Sequence, residues 1–391
     1  MTVETVVSEP QLWDRFQASW REPKDIPTRK LIGTHYQREA FSITIGAGDT
    51  ITTLALVEAV EMAAGRDLIN GRKIAALRVL HLNAAQTQDE IDRQIAGIRL
   101  HYGASPTDLG GRLIGKSILT APVRLGVMGG NGVAAIDAEA MQRLVDFIRD
   151  ERIDVVQLLP WVSFHAVRWN SGTDMDILAK EGLCAIAGPT QCAIGIFHEV
   201  RTVEKPTRQT TEERLAFALT CAAHSVRTLA VMSKTEARRF NIGETERRRC
   251  ICIDSKAKAG PAGESTWFKL APVELPNGES VEVAAPWSAP DPVETVTAEQ
   301  MEQFKNLING GLYSSDPGEY RWVGFAIARA IGIDLSSDNV RDDPQHLAKI
   351  KKIIEAAGAE RKRRKHTTKR GSAGVAKSRA APKRGKPRTA A

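Results

Sequence analysis

Residues 41–65, FSITIGAGDTITTLALVEAVEMAAG, are the stretch around which the sequence is organised. A β-type run over 41–45 enters a turn of small residues over 46–50, and an apolar helical pattern is predicted from about Thr52 to Gly65. This is the outline of a phosphate-binding loop, in which backbone N–H groups and a helix N-terminus surround phosphates. Such a loop ordinarily ends in Gly-Lys-Ser/Thr, whereas Thr50, Ile51 and Thr52 stand in those places here. The stretch is therefore either a nucleotide site that has lost its chemistry or a turn that only resembles one.

Composition and length describe a globular protein. The chain has 391 residues, of which 42% are hydrophobic, enough for a large core and two domains. It contains no run of about eighteen apolar residues and no signal pattern at its start, so we expect a cytoplasmic protein without a membrane partner. The five cysteines are odd in number and scattered along the chain. They are expected to be free thiols without a functional role rather than disulfide partners or metal ligands. The histidines do not form an HExxH pattern and Gly-x-Ser-x-Gly is absent, so neither motif suggests a second enzyme.

Positive charge is concentrated at the end of the sequence. The net charge is +7, but residues 361–391 alone carry thirteen Lys or Arg and no acidic residue. This segment is rich in Lys, Arg, Ala, Pro, Gly and Ser and cannot bury a core. It is predicted to be a disordered basic tail.

The order of predicted elements favours an α/β fold. Strand and helix patterns alternate from residue 41 to about residue 200, which predicts a parallel sheet flanked by helices. The later strands are expected to be antiparallel additions, and Asn277-Gly278 within an alternating run predicts a hairpin. Apolar runs over 78–83, 153–159 and 192–198 predict strands, and Thr87 with Glu90 predicts a capping box at the start of a helix that ends at Gly103. We predict a lead-in over 1–40, the main domain over 41–287, a linker over 288–296, a small module of three short helices over 297–358 and the tail over 359–391.

Four stretches resemble one family: residues 20–36, 54–68, 89–103 and 266–287, the last reading TWFKLAPVELPNGESVEVAAPW. They are similar to RecA-fold AAA-type ATPases related to the plasmid replicative helicase RepA, of the alphaproteobacterial type. The resemblance covers roughly residues 20–358. It implies a RecA-like P-loop NTPase core followed by a winged-helix-like module.

The family's functional positions are mostly substituted in this sequence. Its phosphate-binding lysine falls on Ile51, the glutamate that activates water falls on Ala85, and the Walker B aspartate falls on Leu159. The remaining vestigial nucleotide site comprises Gly46, Gly48, Thr50, Thr52 and Thr53, in which Thr52 keeps the magnesium-binding hydroxyl. Possible remnants of the family's later motifs are His198, Arg201 and Arg214.

Two functions follow as hypotheses. The first is a protein defective in ATP hydrolysis, with at most weak ATP and magnesium binding, that binds DNA or RNA in a replication or mobile-element context. The candidate contact residues are basic: Lys349, Lys351, Lys352, Arg361, Lys362, Arg363, Arg364, Lys365, Lys369 and Arg370. The second is an ATP-dependent helicase or loader subunit, acting in a homo-oligomeric ring or beside an active paralogue. A solvated lysine face, a merely solubilising tail and a vestigial protein without a selected function are the plainer alternatives.

Overall fold

A computed structural model describes residues 22–69, 74–168, 171–200, 218–257, 265–290, 296–335 and 347–358, with single-residue gaps inside these ranges. The described strands, in chain order, are β1 (Leu31–Ile32), β2 (Tyr36–Gln37), β3 (Ala40–Gly46), β4 (Val79–Asn83), β5 (Leu113–Ser117), β6 (Gly126–Met128), β7 (Ala134–Ile136), β8 (Val155–Leu159), β9 (Ala193–Glu199), β10 (Ser225–Val231), β11 (Cys250–Ala257), β12 (Thr266–Glu274) and β13 (Ser280–Pro286).

Among the described residues, the central sheet has nine strands in the order β13-β12-β11-β10-β3-β9-β8-β4-β5. In this order, the strands from β10 to β5 are parallel to one another. The strands from β11 to β13 are antiparallel. The predicted mixed α/β class, a parallel core with antiparallel strands at one side, is confirmed.

Helices lie on both faces of this sheet. The α-helices described with printed bounds, in chain order and including those of the C-terminal cluster, are α1 (Gly48–Ala64), α2 (Gln88–Tyr102), α3 (Pro106–Leu109), α4 (Ala138–Asp150), α5 (Gly172–Ile177), α6 (Ala185–Thr190), α7 (Lys234–Phe240), α8 (Glu244–Arg247), α9 (Ala298–Asn309) and α10 (Val323–Ala330). A π-helical segment, Leu178–Cys184, joins α5 to α6, and residues 347–358 are helical.

The core forms two layers because successive side chains of a strand point to opposite faces. Phe41 and Ile43 of β3 belong to the cluster shared with α4 and α6. The opposite face packs against α1 and α2 in a cluster that contains Leu54 and Phe268. Helix α1 is buried on nearly all sides, as expected of a helix that is apolar all round.

Several local predictions are confirmed. Thr87 and Glu90 form the predicted capping box at the start of α2, and Gly103 ends that helix in a left-handed conformation. The predicted hairpin joins β12 to β13, with Glu274 paired to Ser280 and Gly278 at φ 85°. Side-chain caps and a positive-φ glycine therefore fixed these boundaries locally.

Two expectations about the sheet were wrong in detail. Helix α1 begins at Gly48 rather than near Thr52, so Ala47 alone separates it from β3. Strand β10, expected as an antiparallel addition, joins the parallel part of the sheet beside β3. Both differences place more regular structure around the phosphate-loop stretch than its composition predicts.

The predicted C-terminal module contains the three expected helices in its described residues: α9, α10 and the helix over 347–358. They share a hydrophobic cluster that includes Phe304, Trp322 and Ile350. The domain limits and the winged-helix assignment remain predictions. The lead-in before residue 22, most of the linker and the tail from 359 lie outside the described residues.

The described part of the chain has no helix that is both long and apolar enough to cross a membrane.

Candidate functional site

The parallel strands end at Gly46, Asn83, Leu159 and Glu199, which define an edge that we call the carboxyl edge. Ligands of open α/β sheets bind in crevices at this end of the strands. All three substituted family positions lie here, because Ile51 follows β3, Ala85 follows β4 and Leu159 ends β8. The three positions that the resemblance singled out therefore share one edge of the sheet.

The β3–α1 junction is short, with one residue between the strand and the helix. Gly46 is the last residue of β3, and Gly48, Thr50, Ile51, Thr52 and Thr53 all lie within the first turns of α1. The Ile51 N–H donates to the Ala47 carbonyl at 3.0 Å, and the Val200 N–H donates to the Gly46 carbonyl at 2.9 Å. Backbone groups that would line a phosphate loop thus belong to a helix and an extended strand pair.

The side chain of Ile51 lies inside the protein. It is 1% exposed, and it packs in one cluster with Leu159, Phe197 and Leu229. A Cβ added to Gly46 would approach both Ile51 Cγ2 and Leu229 Cβ to 2.9 Å. Gly46 is therefore needed here for close packing of the strand end against Ile51 and Leu229, because a larger residue would collide with both.

The threonines of this turn are also buried: Thr50 and Thr52 are 7% exposed and Thr53 is 4% exposed. The Thr52 hydroxyl, which the family resemblance assigns to magnesium, donates to the Gly48 carbonyl at 2.9 Å. A hydroxyl held by its own helix in this way is turned to the backbone.

The turn after β4 carries no carboxylate. Ala85 is exposed, and its N–H donates to the Asn83 side-chain oxygen at 2.8 Å. The Gln86 N–H donates to the same oxygen at 3.1 Å, while the Ala84 N–H donates to the Leu159 carbonyl at 2.8 Å. Asn83 therefore organises a turn whose side chain at position 85 cannot orient a water nucleophile.

Leu159, which the resemblance aligns with the Walker B aspartate, is fully buried. Its side chain belongs to the cluster that holds Ile51. Ile51 and Leu159, the positions that the resemblance aligns with the lysine and the aspartate, therefore belong to one buried apolar cluster.

The remaining predicted residues are less well defined. His198 is half-buried near the end of β9, close enough to His165 that burial and, secondarily, His198 lower the pKa of His165 to about 4. Arg201 and Arg214 lie outside the described residues. Within the described residues, no group of three or more His, Cys, Asp or Glu side chains is arranged to hold a metal ion.

Glu199 is a feature of the carboxyl edge that the sequence analysis did not single out. Its Oε1 lies 2.5 Å from the position of a Cβ added to Gly48, so the carboxylate rests against the first residue of α1. The N-terminus of a helix favours a negative group, and this one is supplied by the protein itself. A phosphate approaching the same place would meet a negative charge.

A buried polar network crosses the sheet beneath α1, and the sequence did not reveal it. Arg227 of β10 binds both carboxylate oxygens of Glu58 at 2.5 and 2.6 Å. The Tyr36 hydroxyl donates to Glu58 at 2.9 Å, and Gln157 donates to Tyr36 at 3.0 Å. The partners are distant in sequence, so no local pattern announces them.

Glycine at position 195 makes room for this network. A Cβ there would meet Tyr36 Cε1 at 2.6 Å, so only a residue without a side chain lets the ring lie across β9. Beside the network, burial, followed by the charge of Glu58, raises the pKa of Glu61 to about 10. Burial likewise lowers the pKa of His81 to about 4, while Gln157 bonds its ring.

The lysines proposed for nucleic-acid contact do not share one environment. Lys351 and Lys352 are exposed, whereas the Lys349 ammonium lies 5.0 Å from the centre of the Phe240 ring. The tail residues, from Arg361 to Arg370 and beyond, lie outside the described residues.

The strand order, the helices on both faces and the strand-to-helix junction at β3 define a mixed α/β domain with a mostly parallel central sheet. Residues 8–205, about half of the chain, match the model of a family described as AAA domain, and the chain belongs to that family.

Among solved structures, the chain is similar to the crystal structure of the RadB recombinase. The two are 12% identical with a TM-score of 0.34, and the match covers 60% of this chain and 89% of that one. A comparison with curated proteins gives no match.

Proposed function

We propose that this protein is a nucleic-acid-associated member of the AAA domain family that does not hydrolyse ATP. The observation that carries the absence of hydrolysis is the packing of Ile51 and Leu159 in one buried cluster. Catalysis of phosphoryl transfer depends on a lysine at the phosphates and on a carboxylate-bound magnesium. Apolar side chains occupy both places.

The other parts of the edge support the same conclusion. Ala85 offers no base, and Thr52 donates to its own helix. Glu199 places a negative charge at the N-terminus of α1, where a phosphate would need a positive field. The proposed site thus lacks a cation for the phosphates and a carboxylate for magnesium.

The association with nucleic acid is supported by the charge distribution. The thirteen Lys or Arg of residues 361–391 can neutralise several phosphates, and each neutralised phosphate steepens the salt dependence of binding. Exposed Lys351 and Lys352 precede the tail on the last described helix. The tail has no Phe, Tyr or Trp, so its contacts are independent of base identity.

The nucleotide half is tested by titrating the full-length protein with a fluorescent ATP analogue and magnesium. We expect no saturable binding, which corresponds to a Kd weaker than about 1 mM. Tight magnesium-dependent binding with turnover would refute this half of the proposal and would support an ATP-dependent helicase or loader subunit instead.

The nucleic-acid half is tested by gel-shift titration of the full chain against a chain ending at Glu360. A second control keeps the tail length and changes its thirteen Lys and Arg to Gln. Both variants should lose affinity and show a shallower dependence of log K on log salt, by ~0.9 for each lost phosphate contact on duplex DNA. Equal affinity and equal slope in all three proteins would remove the proposed role of the tail.

A further inference from the structure

The segment over 312–322, between α9 and α10, carries unusually exposed aromatic and apolar side chains; we call it the tyrosine loop. Leu312 is 78% exposed, Tyr320 75% and Tyr313 41%. Two of the four tyrosines of the whole chain are therefore presented on this one loop.

Backbone hydrogen bonds hold the two ends of the tyrosine loop together. The Ser314 N–H donates to the Arg321 carbonyl at 2.8 Å, and the Val323 N–H donates to the Ser314 carbonyl at 3.0 Å. Trp322, only 1% exposed, fixes the end of the loop in the cluster of the C-terminal helices. The hydrogen-bonded loop is thus anchored by buried Trp322, while Tyr313 and Tyr320 remain exposed.

The surroundings of the two rings suit flat ligands with polar edges. The Arg321 guanidinium lies 5.4 Å from the centre of the Tyr320 ring. Beside Tyr313, Leu307 and Leu312 line a groove of about 450 Å³ whose polar wall is formed by Gln303 and Asn306. Aromatic faces, a guanidinium plane and side-chain amides are the groups with which proteins hold unpaired bases.

The charge of the loop separates its role from that of the tail. Asp316 and Glu319 outnumber Arg321, so the loop itself does not attract phosphates. The basic tail follows the helix over 347–358, whose Ile350 and Ile353 pack in the same cluster as α9 and α10. The C-terminal helical cluster therefore carries the exposed tyrosine loop, and the basic tail follows its last described helix in sequence.

From this arrangement we infer that the tyrosine loop binds the unpaired bases of single-stranded nucleic acid by stacking on Tyr313 and Tyr320. The inference rests on the nucleic-acid association proposed above and adds a preference for single strands, which the tail cannot provide. Duplex DNA keeps its bases stacked inside the helix, so its affinity for the protein comes only from contacts between the tail and its phosphates.

The test uses full-length protein and fluorescence anisotropy with three labelled oligonucleotides of equal length: a single strand, a duplex, and a single strand in which every base is removed. The variants are Tyr313→Ala with Tyr320→Ala, and the conservative pair Tyr313→Phe with Tyr320→Phe. Because both tyrosines are exposed, the fold should tolerate either pair, which thermal unfolding checks.

We expect the alanine pair to lose at least about fivefold in affinity for the normal single strand for each base that is stacked. Its affinity for the duplex and for the abasic strand should not change, and the phenylalanine pair should bind like the wild type. An equal loss on all three oligonucleotides, or no loss on the single strand, would overturn the inference.

Failure of this inference is distinguishable from failure of the proposed function. If the wild type binds all three oligonucleotides equally and the tyrosine variants match it, the tail proposal stands and the tyrosine loop has no role in it. If the wild type binds none of them, both proposals fail. If the alanine pair instead abolishes binding to a protein partner while single-strand affinity is unchanged, the loop is a protein-binding surface and the inference is wrong.

Discussion

Replacing Ile51 by lysine introduces the residue that the family resemblance places at this position, and it tests directly whether apolar packing closes the proposed site. Ile51 is 1% exposed and packs against Leu159 and Leu229. Full burial of an isoleucine contributes ~1.5–3 kcal/mol, which the lysine variant would largely lose. A lysine kept in this cluster must also be neutral, and a pKa lowered by about three units costs ~4 kcal/mol.

The expected total is a loss of about 4 kcal/mol or more in the free energy of unfolding. It should exceed the loss for Ile51→Val, about 0.5–1.5 kcal/mol, which removes one methyl group and adds no charge. Ile26→Lys is the matched surface control, because Ile26 is 60% exposed and its replacement should leave stability nearly unchanged.

The assay is urea unfolding of the wild type and the three variants, followed by thermal unfolding with and without magnesium and ATP. Nucleotide that binds the folded state raises its stability by mass action, so a single instrument measures both packing and binding. A lysine variant as stable as wild type, and further stabilised by ATP, would refute the reasoning. It would mean that the cluster opens easily and that the site lacks only its cation.

Two other predictions concern the buried network. Arg227→Ala leaves Glu58 buried without its guanidinium and should lower the free energy of unfolding by ~3–5 kcal/mol. The control is Arg248→Ala, which removes a side chain that is 72% exposed and should leave stability in urea unfolding nearly unchanged. Equal effects of the two substitutions would contradict the ion-pair argument. Because burial raises the pKa of Glu61 to about 10, the folded state keeps a proton that the unfolded chain releases above its ordinary pKa near 4.5, so stability should fall as pH rises from about 5 towards 10. Glu61→Gln should flatten that decline in unfolding measured between pH 5 and 9, and parallel curves for the two proteins would count against it.

The sequence predicted the parts of the fold that depend on neighbours in the chain. Apolar runs indicated β4, β8 and β9, and the Thr87–Glu90 pair indicated the start of α2, because caps and buried parallel strands have local signatures. The positions of the three family substitutions also followed from sequence, since each comes at or just after the end of a strand. The sequence did not indicate that Ile51 and Leu159 pack in one buried cluster at the carboxyl edge.

Long-range contacts explain what was missed. Gly-Ala-Gly-Asp-Thr is typical of a turn, yet the chain is helical from Gly48, and Ile51 in that first turn packs against Leu229, far along the chain. Arg227 and Glu58 are 169 residues apart, and only the folded sheet brings them together. Glu199 could have been noticed as a carboxylate directly after a buried strand, but its approach to Gly48 depends on the pairing of β3 with β9.

The network around Arg227 also sets the smallest piece of this chain that can fold. The family match ends at residue 205, before β10, although β10 supplies a neighbour for β3, the guanidinium for Glu58 and the Leu229 side chain that covers Ile51. A fragment cut at the limit of the match would expose the edge of β3 and leave a buried carboxylate without its partner, so it should aggregate. The recognisable half of the chain is therefore not a self-sufficient folding unit, and any dissection of this protein has to carry the sheet through β10 and the strands beyond it.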